Sequence, residues 1–313
     1  MGDRILRIRI EKKDENLTVE QYLKKNLEFS KKQISRLKFR EDGIRVDDVR
    51  QRVTKRLREG EYLEILLESC GKDALQLETD SGRQKLYILY EDADLLIVRK
   101  PSGLVCHPSH GHYQDTLANQ AAAYGRERRE NWTVRIIGRL DKDTSGIVVF
   151  AKNAEAAALL ARQRERGIMK KTYLALVEGK LRPSRGCIEK PIARNGESLM
   201  KMRTDGAGKS AKTWYQVVEE EDGQSLVQVQ IEHGRTHQIR VHMASAGHPL
   251  VGDPLYGTGN NSADDPGCAS LHAWKLELSQ PFTGKRLLIE APLPEWCRKF
   301  FRYDVFDKSD LLY

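Results

Sequence analysis

The sequence predicts an α+β protein with a small basic N-terminal domain and a larger, strand-rich body. Three observations point there. Strand-like segments outnumber helical ones, and beyond residue 85 helices do not alternate strictly with strands, which argues against a doubly wound sheet. Two short capped helices precede two strand-like pieces near the N-terminus. At roughly 100–200 residues per domain, 313 residues accommodate two domains.

The elements follow in order. Thr18 followed by Gln21 fits a capping box, and Val19, Tyr22, Leu23 and Leu27 then keep helical spacing. Ser30 followed by Gln33 opens a second helix with Ile34 and Leu37 on its apolar side, and Lys31, Lys32, Arg36, Lys38 and Arg40 make it basic. Gly43–Val46 and Tyr62–Leu67 read as short strands. Residues 68–84 are polar and contain glycine, so the boundaries fall at 1–72 for the N-terminal domain, 73–85 for a linker and 86–313 for the body. Within the body, Leu86–Leu89, Leu95–Val98, Ile147–Ala151, Tyr173–Val177, Thr213–Val218 and Leu226–Ile231 read as strands, and Ala154–Arg164 as a helix.

The net charge is +8, and residues 1–72 hold 19 Lys+Arg against 14 Asp+Glu, an excess of five. More than half of the surplus thus sits in under a quarter of the chain, which favours a polyanionic partner. No apolar run approaches the ~18–20 residues of a membrane span, and the start lacks an apolar signal region, so a cytoplasmic protein is expected. The five cysteines, Cys70, Cys106, Cys187, Cys268 and Cys297, are widely spaced with no C-x-x-C pair, which speaks against a disulfide framework or a structural zinc.

Three segments carry chemistry. Gly138-Arg139-Leu140-Asp141-Lys142-Asp143-Thr144-Ser145-Gly146 places acids on a tight turn between Val134–Ile137 and Ile147–Phe150, where a carboxylate is held rigidly toward a cleft. Thr144 and Ser145 are expected to hydrogen-bond the turn backbone. His233–Ala244 contains Arg235, His237, Gln238, Arg240 and His242, with Thr236 as the expected helix cap. It leads into the turn-rich Gly247–Gly257. Lys171–Val177 is a strand carrying Tyr173. The histidines 233, 237 and 242 lack a metal pattern, Gly208-Lys209-Ser210 lacks the first glycine of a P-loop, and His107–His112 lacks ligand partners at metal spacing, so no metal site is expected.

GRLDKDTSGIVVFAKN, KKTYLALV and GRTHQIRVHMASAGHPLVGDPLYG, with YEDADLLIVRKPSGLVCHP before them, resemble the RluA-type family of pseudouridine synthases, within it the RluC- and RluD-like members. The resemblance runs from about residue 86 to the APLP segment at 291–294. Residues 15–67 resemble the S4 RNA-binding module, with Asp47-Asp48 where that module usually has an Asn-Gly turn. In the body, Gly138 stands where His is common and Arg99 where Asn is common. The resemblance implies a mixed, largely antiparallel central sheet with flanking helices. It also implies an RNA-modifying isomerase with Asp141 as catalytic aspartate, Tyr173 packed on the target base and Arg240 paired with the aspartate. Arg139 would fill the space left by the displaced nucleotide. RNA contacts are expected from Lys31, Lys32, Arg36, Lys38, Arg40, Arg235 and His237. The isomerisation neither gains nor loses atoms overall, so no cofactor is expected. The expected partner is RNA, ribosomal RNA ahead of tRNA, bound by a monomer. A non-catalytic RNA-binding or ribosome-assembly protein on the same scaffold, and a hydrolase using Asp141 with a histidine, are the competing readings.

Overall fold

The structure is a computed structural model and describes residues 4–67, 85–130, 132–196, 201–258, 268–298 and 300. Its N-terminal part comprises β1 (Arg4–Arg9), α1 (Val19–Lys25), α2 (Lys31–Phe39), β2 (Ile44–Val46), β3 (Val49–Arg50) and β4 (Tyr62–Leu67). Both helices begin at the expected capping boxes. Thr18 N–H donates to Gln21 Oε1 at 2.8 Å and Gln21 N–H to Thr18 Oγ1 at 3.2 Å, and Ser30 and Gln33 repeat the exchange. Satisfying two orphan amides per helix stabilises elements otherwise too short to persist.

The four strands form an antiparallel sheet in the order β1-β4-β2-β3. The sheet and helices close over a core of their own that includes Val19, Leu23, Ile34, Leu37, Leu57, Leu63, Ile65 and Leu67. Asp47 and Asp48 both take left-handed backbone, at φ 48° and 64°. That is the requirement of a two-residue hairpin turn, and aspartate tolerates it. Asp47 Oδ1 also accepts from Tyr62 N–H at 2.9 Å. The aspartate pair therefore keeps the turn that Asn-Gly would make. β1 lies where the sequence pattern shows only a charged leader, because Arg4, Arg7 and Arg9 mask the alternation around Leu6.

The body comprises β5 (Tyr87–Glu91), β6 (Leu95–Lys100), α3 (Leu117–Glu127), β7 (Arg135–Ile137), β8 (Ser145–Ala151), α4 (Ala154–Glu165), β9 (Lys170–Glu178), β10 (Arg185–Glu189), β11 (Ile192–Arg194), β12 (Met202–Thr204), β13 (Lys212–Glu221), β14 (Gln224–Glu232), α5 (Gln238–Ser245), β15 (Leu271–Ser279), β16 (Arg286–Glu290) and α6 (Glu295–Arg298). Eight strands run in the order β10-β13-β14-β9-β15-β8-β6-β5, with β16 on β15 and β7 on β8. All pairings in this sheet are antiparallel except β15 with β8, which makes the class α+β as expected.

Both sheet faces are buried. Tyr173, Ala175 and Val177 of β9 enter one core with Val148 and Phe150, while Leu174 and Leu176 enter another on the opposite face. This is the period-2 alternation of a two-sided strand. The parallel contact sets β8 against β15 so closely that a Cβ on Gly146 would stand 2.3 Å from Ala273 O. Glycine is therefore required where the site turn becomes a strand.

The two parts touch. Arg4 Nε lies 3.3 Å from Asp94, Arg166 lies 2.7 Å from Glu28 with Arg162 beside it, and Phe282 of the body packs on the N-terminal core. Most of the expected linker, and the last residues of the chain, lie outside the described residues. Among the described residues no helix is long and apolar enough to cross a membrane.

Candidate active site

Asp141 stands half-buried in the turn between β7 and β8. The turn is held by side chains from other segments. The Lys100 ammonium, fully buried at the end of β6, donates to Pro101 O at 2.8 Å, Leu104 O at 2.7 Å and Lys142 O at 2.8 Å. All three ammonium hydrogens are thus used. Ser102 Oγ donates to Asp143 O at 2.6 Å. Cys106 Sγ donates to Leu140 O at 3.2 Å. Lys171 Nζ donates to Ile147 O at 2.9 Å and Gly138 O at 3.4 Å. Burial pushes both lysines down to about 8.

The hydroxyls within the turn do not share this work. Thr144 Oγ1 is buried with no hydrogen-bond partner among the described residues, and Ser145 Oγ faces His272 Nδ1 at 2.7 Å on β15. The expectation that Thr144 and Ser145 hold the turn is corrected accordingly. Ser145 begins β8 and points at the neighbouring strand instead.

α5 brings Arg240 to the same place. Its expected Thr236 cap is replaced. His237 is the N-cap residue, in left-handed backbone at φ 54° and without a side-chain cap bond. Gln238 reaches back instead, its Oε1 accepting from Arg235 N–H at 2.9 Å and its Nε2 donating to Lys212 O at 2.8 Å. Asp141 is the expected partner of Arg240, which is 1% exposed. The Arg240 fork is taken instead by Asp253, with Nε to Oδ2 at 2.8 Å and Nη2 to Oδ1 at 2.7 Å, while Nη1 stands 3.3 Å from Asp143. A planar guanidinium meets one carboxylate two-fold, and the one 13 residues on fulfils that geometry. Burial opposes the charges on both partners. On Arg240 the carboxylates of Asp253, Asp143 and Asp141 outweigh it, and on Asp253 Arg240 and the amides of Leu255 and Tyr256 do so.

Asp141 is nonetheless the common neighbour. Its charge acts on Lys100, Tyr173, His237, Arg240 and Tyr256, which come from β6, β9, the start of α5, α5 itself and the loop beyond. Tyr173 is 7% exposed, and burial, then Asp141, raise its phenol above the ordinary range. Burial lowers His237, Asp141 pulls it back up and Arg240 lowers it further.

The other predicted residues divide by exposure. Arg139 is exposed and has no hydrogen-bond or ionic partner among the described residues. Arg235 Nε donates to Ser210 O at 3.1 Å. Lys31, Lys32, Arg36 and Lys38 are exposed along α2, and Arg40 is its half-exposed C-cap residue. His242 is fully buried between Thr213 Oγ1 at 2.8 Å and Lys190 O at 2.9 Å, a structural role.

Residues 94–245, which include the Asp141 turn, Tyr173 and Arg240, match the model of the RNA pseudouridylate synthase family. The ribosomal large subunit pseudouridine synthase D of Nitrosomonas europaea is 42% identical over 241 residues, 73% of this chain and 69% of that protein. This chain belongs to the RNA pseudouridine synthase family. The uncharacterized RNA pseudouridine synthase YjbO of Bacillus subtilis is 32% identical over 287 residues, covering 91% of this chain and 99% of its own. Among solved structures, human RNA pseudouridylate synthase domain containing 1 aligns with a TM-score of 0.56 at 30% identity, over 69% of this chain and 86% of that one. As a pseudouridine synthase the chain keeps Asp253 and Tyr256, the partners of Arg240 and His237, outside the matched family segment.

Proposed function

We propose that this pseudouridine synthase isomerises specific uridines of large-subunit ribosomal RNA, with Asp141 as its catalytic carboxylate. One observation carries the assignment of Asp141: it stands on a turn pinned by side chains from three other segments, and its charge reaches five buried or half-buried groups. A reaction that breaks C1′–N1, turns the uracil and joins C5 to C1′ needs one ionised carboxylate at the reacting centre. Arg240 adds a permanent positive charge nearby, Tyr173 a face for the base, and the unpartnered Arg139 a group to fill the vacated stack. That filling offsets part of the cost of extruding the nucleotide, roughly a few kcal/mol.

The ribosomal target is supported by relatives named for the large subunit at about 40% identity. The N-terminal part acts as an S4-like RNA-binding domain in this reading. Lys31, Lys32, Arg36, Lys38 and Arg40 then make phosphate contacts that position the RNA without reading its sequence, and Arg235 and His237 touch it near the site. The free thiols of Cys106, Cys187 and Cys297 suit a reducing cytoplasm, where the enzyme works as a monomer.

The test uses ribosomal RNA labelled with tritium at C5 of uridine. The chain should release label to water without added metal or nucleotide and in the presence of EDTA. Intact label after prolonged incubation, or a requirement for metal, would sink the proposal.

A further inference from the structure

His237 and Tyr256 form a pair beside Asp141 to which the chemistry above gives no joint task. The Tyr256 hydroxyl accepts from Met202 N–H at 2.7 Å and lies 3.0 Å from His237 Nδ1. The two rings meet edge to face, with centroids 5.7 Å apart at 80°. The Arg240 guanidinium stands 5.5 Å from the tyrosine ring. His237 is held in left-handed backbone, a state that a non-glycine residue keeps only where its surroundings impose it. Tyr256 thus joins three elements: the β11–β12 hairpin through Met202, the start of α5 through His237, and the Arg240–Asp253 pair.

One lone pair of the hydroxyl already receives the Met202 amide, and donation of the hydroxyl proton to Nδ1 is the arrangement that leaves that proton partnered within the pair. A neutral imidazole that accepts at Nδ1 carries its single proton on Nε2. The charged groups around His237 are Asp141 and Asp143 of the turn, Asp253 of the loop beyond α5, and Arg240 of α5. Burial and Arg240 favour the neutral ring, and the three carboxylates oppose them, with burial prevailing.

We infer that Tyr256 is a positioning residue that fixes His237 as the neutral Nε2–H tautomer, placing one oriented donor in the field of Asp141. A tyrosine hydroxyl receiving two donors would have to turn its own proton away, so imidazolium formation is disfavoured by the same contact. The effect on rate rests on the reading of Asp141 as the catalytic carboxylate. The tautomer does not.

The experiment joins two readouts on the full chain. Long-range ¹H–¹⁵N NMR of the histidine rings should show His237 with bare Nδ1 and protonated Nε2 in the wild type, and a mixture of tautomers in Tyr256→Phe, which keeps the ring against Arg240. Single-turnover isomerisation at saturating enzyme should slow on the order of tenfold in Tyr256→Phe, the scale of one neutral hydrogen bond. Its acid limb should move to higher pH, because His237 then protonates more readily. In a His237→Asn background, chosen because asparagine tolerates left-handed backbone, adding Tyr256→Phe should cost no further rate. A wild-type ring protonated on Nδ1, an unmoved acid limb, or a full additional loss in the Asn background would overturn the inference. A wild type with the expected tautomer but no isomerase activity would support the pair and refute the assigned reaction.

Discussion

The turn that carries Asp141 and the helix that carries Lys31, Lys32 and Lys38 are both densely charged, and they are built in opposite ways. Around the turn, the buried and half-buried cations are tied down, while the exposed Arg139 is left for the RNA in the proposed reading. Lys100 holds three carbonyls, Lys171 holds two, and Arg240 is locked on Asp253 and Asp143. On α2 the lysines stand in solvent along the face opposite Gln33, Ile34 and Leu37, next to a Phe39 that is 77% exposed. A buried, over-determined cluster fixes geometry to the fraction of an ångström that chemistry needs. A solvated row of cations supplies long-range attraction that tolerates movement and is screened by salt. In the proposed reading, the first region sets the rate and the second contributes affinity.

The sharpest way to break that division is Arg240→Met. It leaves Asp253, whose side chain is fully buried, without its partner. Loss of one member of a buried pair costs about 3–5 kcal/mol, so thermal stability should fall steeply and turnover should vanish. The double variant Arg240→Met with Asp253→Asn removes both charges, keeps an acceptor for the Leu255 and Tyr256 amides, and should recover most of the stability while remaining inactive. Recovery of turnover in the double variant would reduce the pair to a packing role.

A smaller effect is expected from pH. Lys100 and Lys171 are pushed down to about 8, against an ordinary value of 10.5. As pH rises through about 8 the folded ammonium groups lose a proton; the neutral Lys100 amine then has two donors for its three carbonyls, whereas Lys171 keeps enough for its two. Turnover should therefore show an alkaline limb near pH 8. Stability moves the other way. The unfolded chain still binds these protons between about 8 and 10.5, so this pair of groups makes folding more favourable as pH rises across that window. Single-turnover rates and melting temperatures measured together from about pH 7 to 10 test both signs, and a rate flat to about pH 9.5 would contradict the clamp.

The smallest expected effect lies on α2. Lys31→Gln, Lys32→Gln and Lys38→Gln combined should leave single-turnover rate at saturating enzyme unchanged. They should flatten the slope of log Kd against log salt by about 2, from ~0.7 per phosphate contact on single-stranded RNA. An unchanged slope would remove the helix from the RNA surface.

The same contrast separates what the sequence makes legible from what it hides. The α1 and α2 boundaries are legible because a capping box is local chemistry, and the strands of the body because alternation is. Asp141, Tyr173 and Arg240 are legible as a set because each sits in a distinctive short motif, and the fold does bring them together. The braces are not. Lys100 and Lys171 look like solvent-facing ends of apolar strands, and Cys106 like a core thiol, until the sheet order puts β6, β8 and β9 around one turn. Asp253 is visible in the Gly252-Asp253-Pro254 turn, but nothing local says that its carboxylate, rather than that of Asp141, receives the Arg240 fork. Thr236 fails as a cap because His237 turns left-handed and moves the start of α5 by one residue. β1 is hidden by arginines on an edge strand, where charge is normal.

The central claim is that Asp141 performs the chemistry while the surrounding charges hold it, and Asp141→Asn tests it most directly. The substitution keeps shape and hydrogen bonding but removes the charge that nucleophilic chemistry requires. The measurement is single-turnover tritium release from C5-labelled ribosomal RNA at saturating enzyme, with RNA affinity and melting temperature taken on the same preparation. The account predicts no detectable release, with affinity within a few-fold of wild type and a folded protein. Release at even a tenth of the wild-type rate would place the catalytic acid elsewhere.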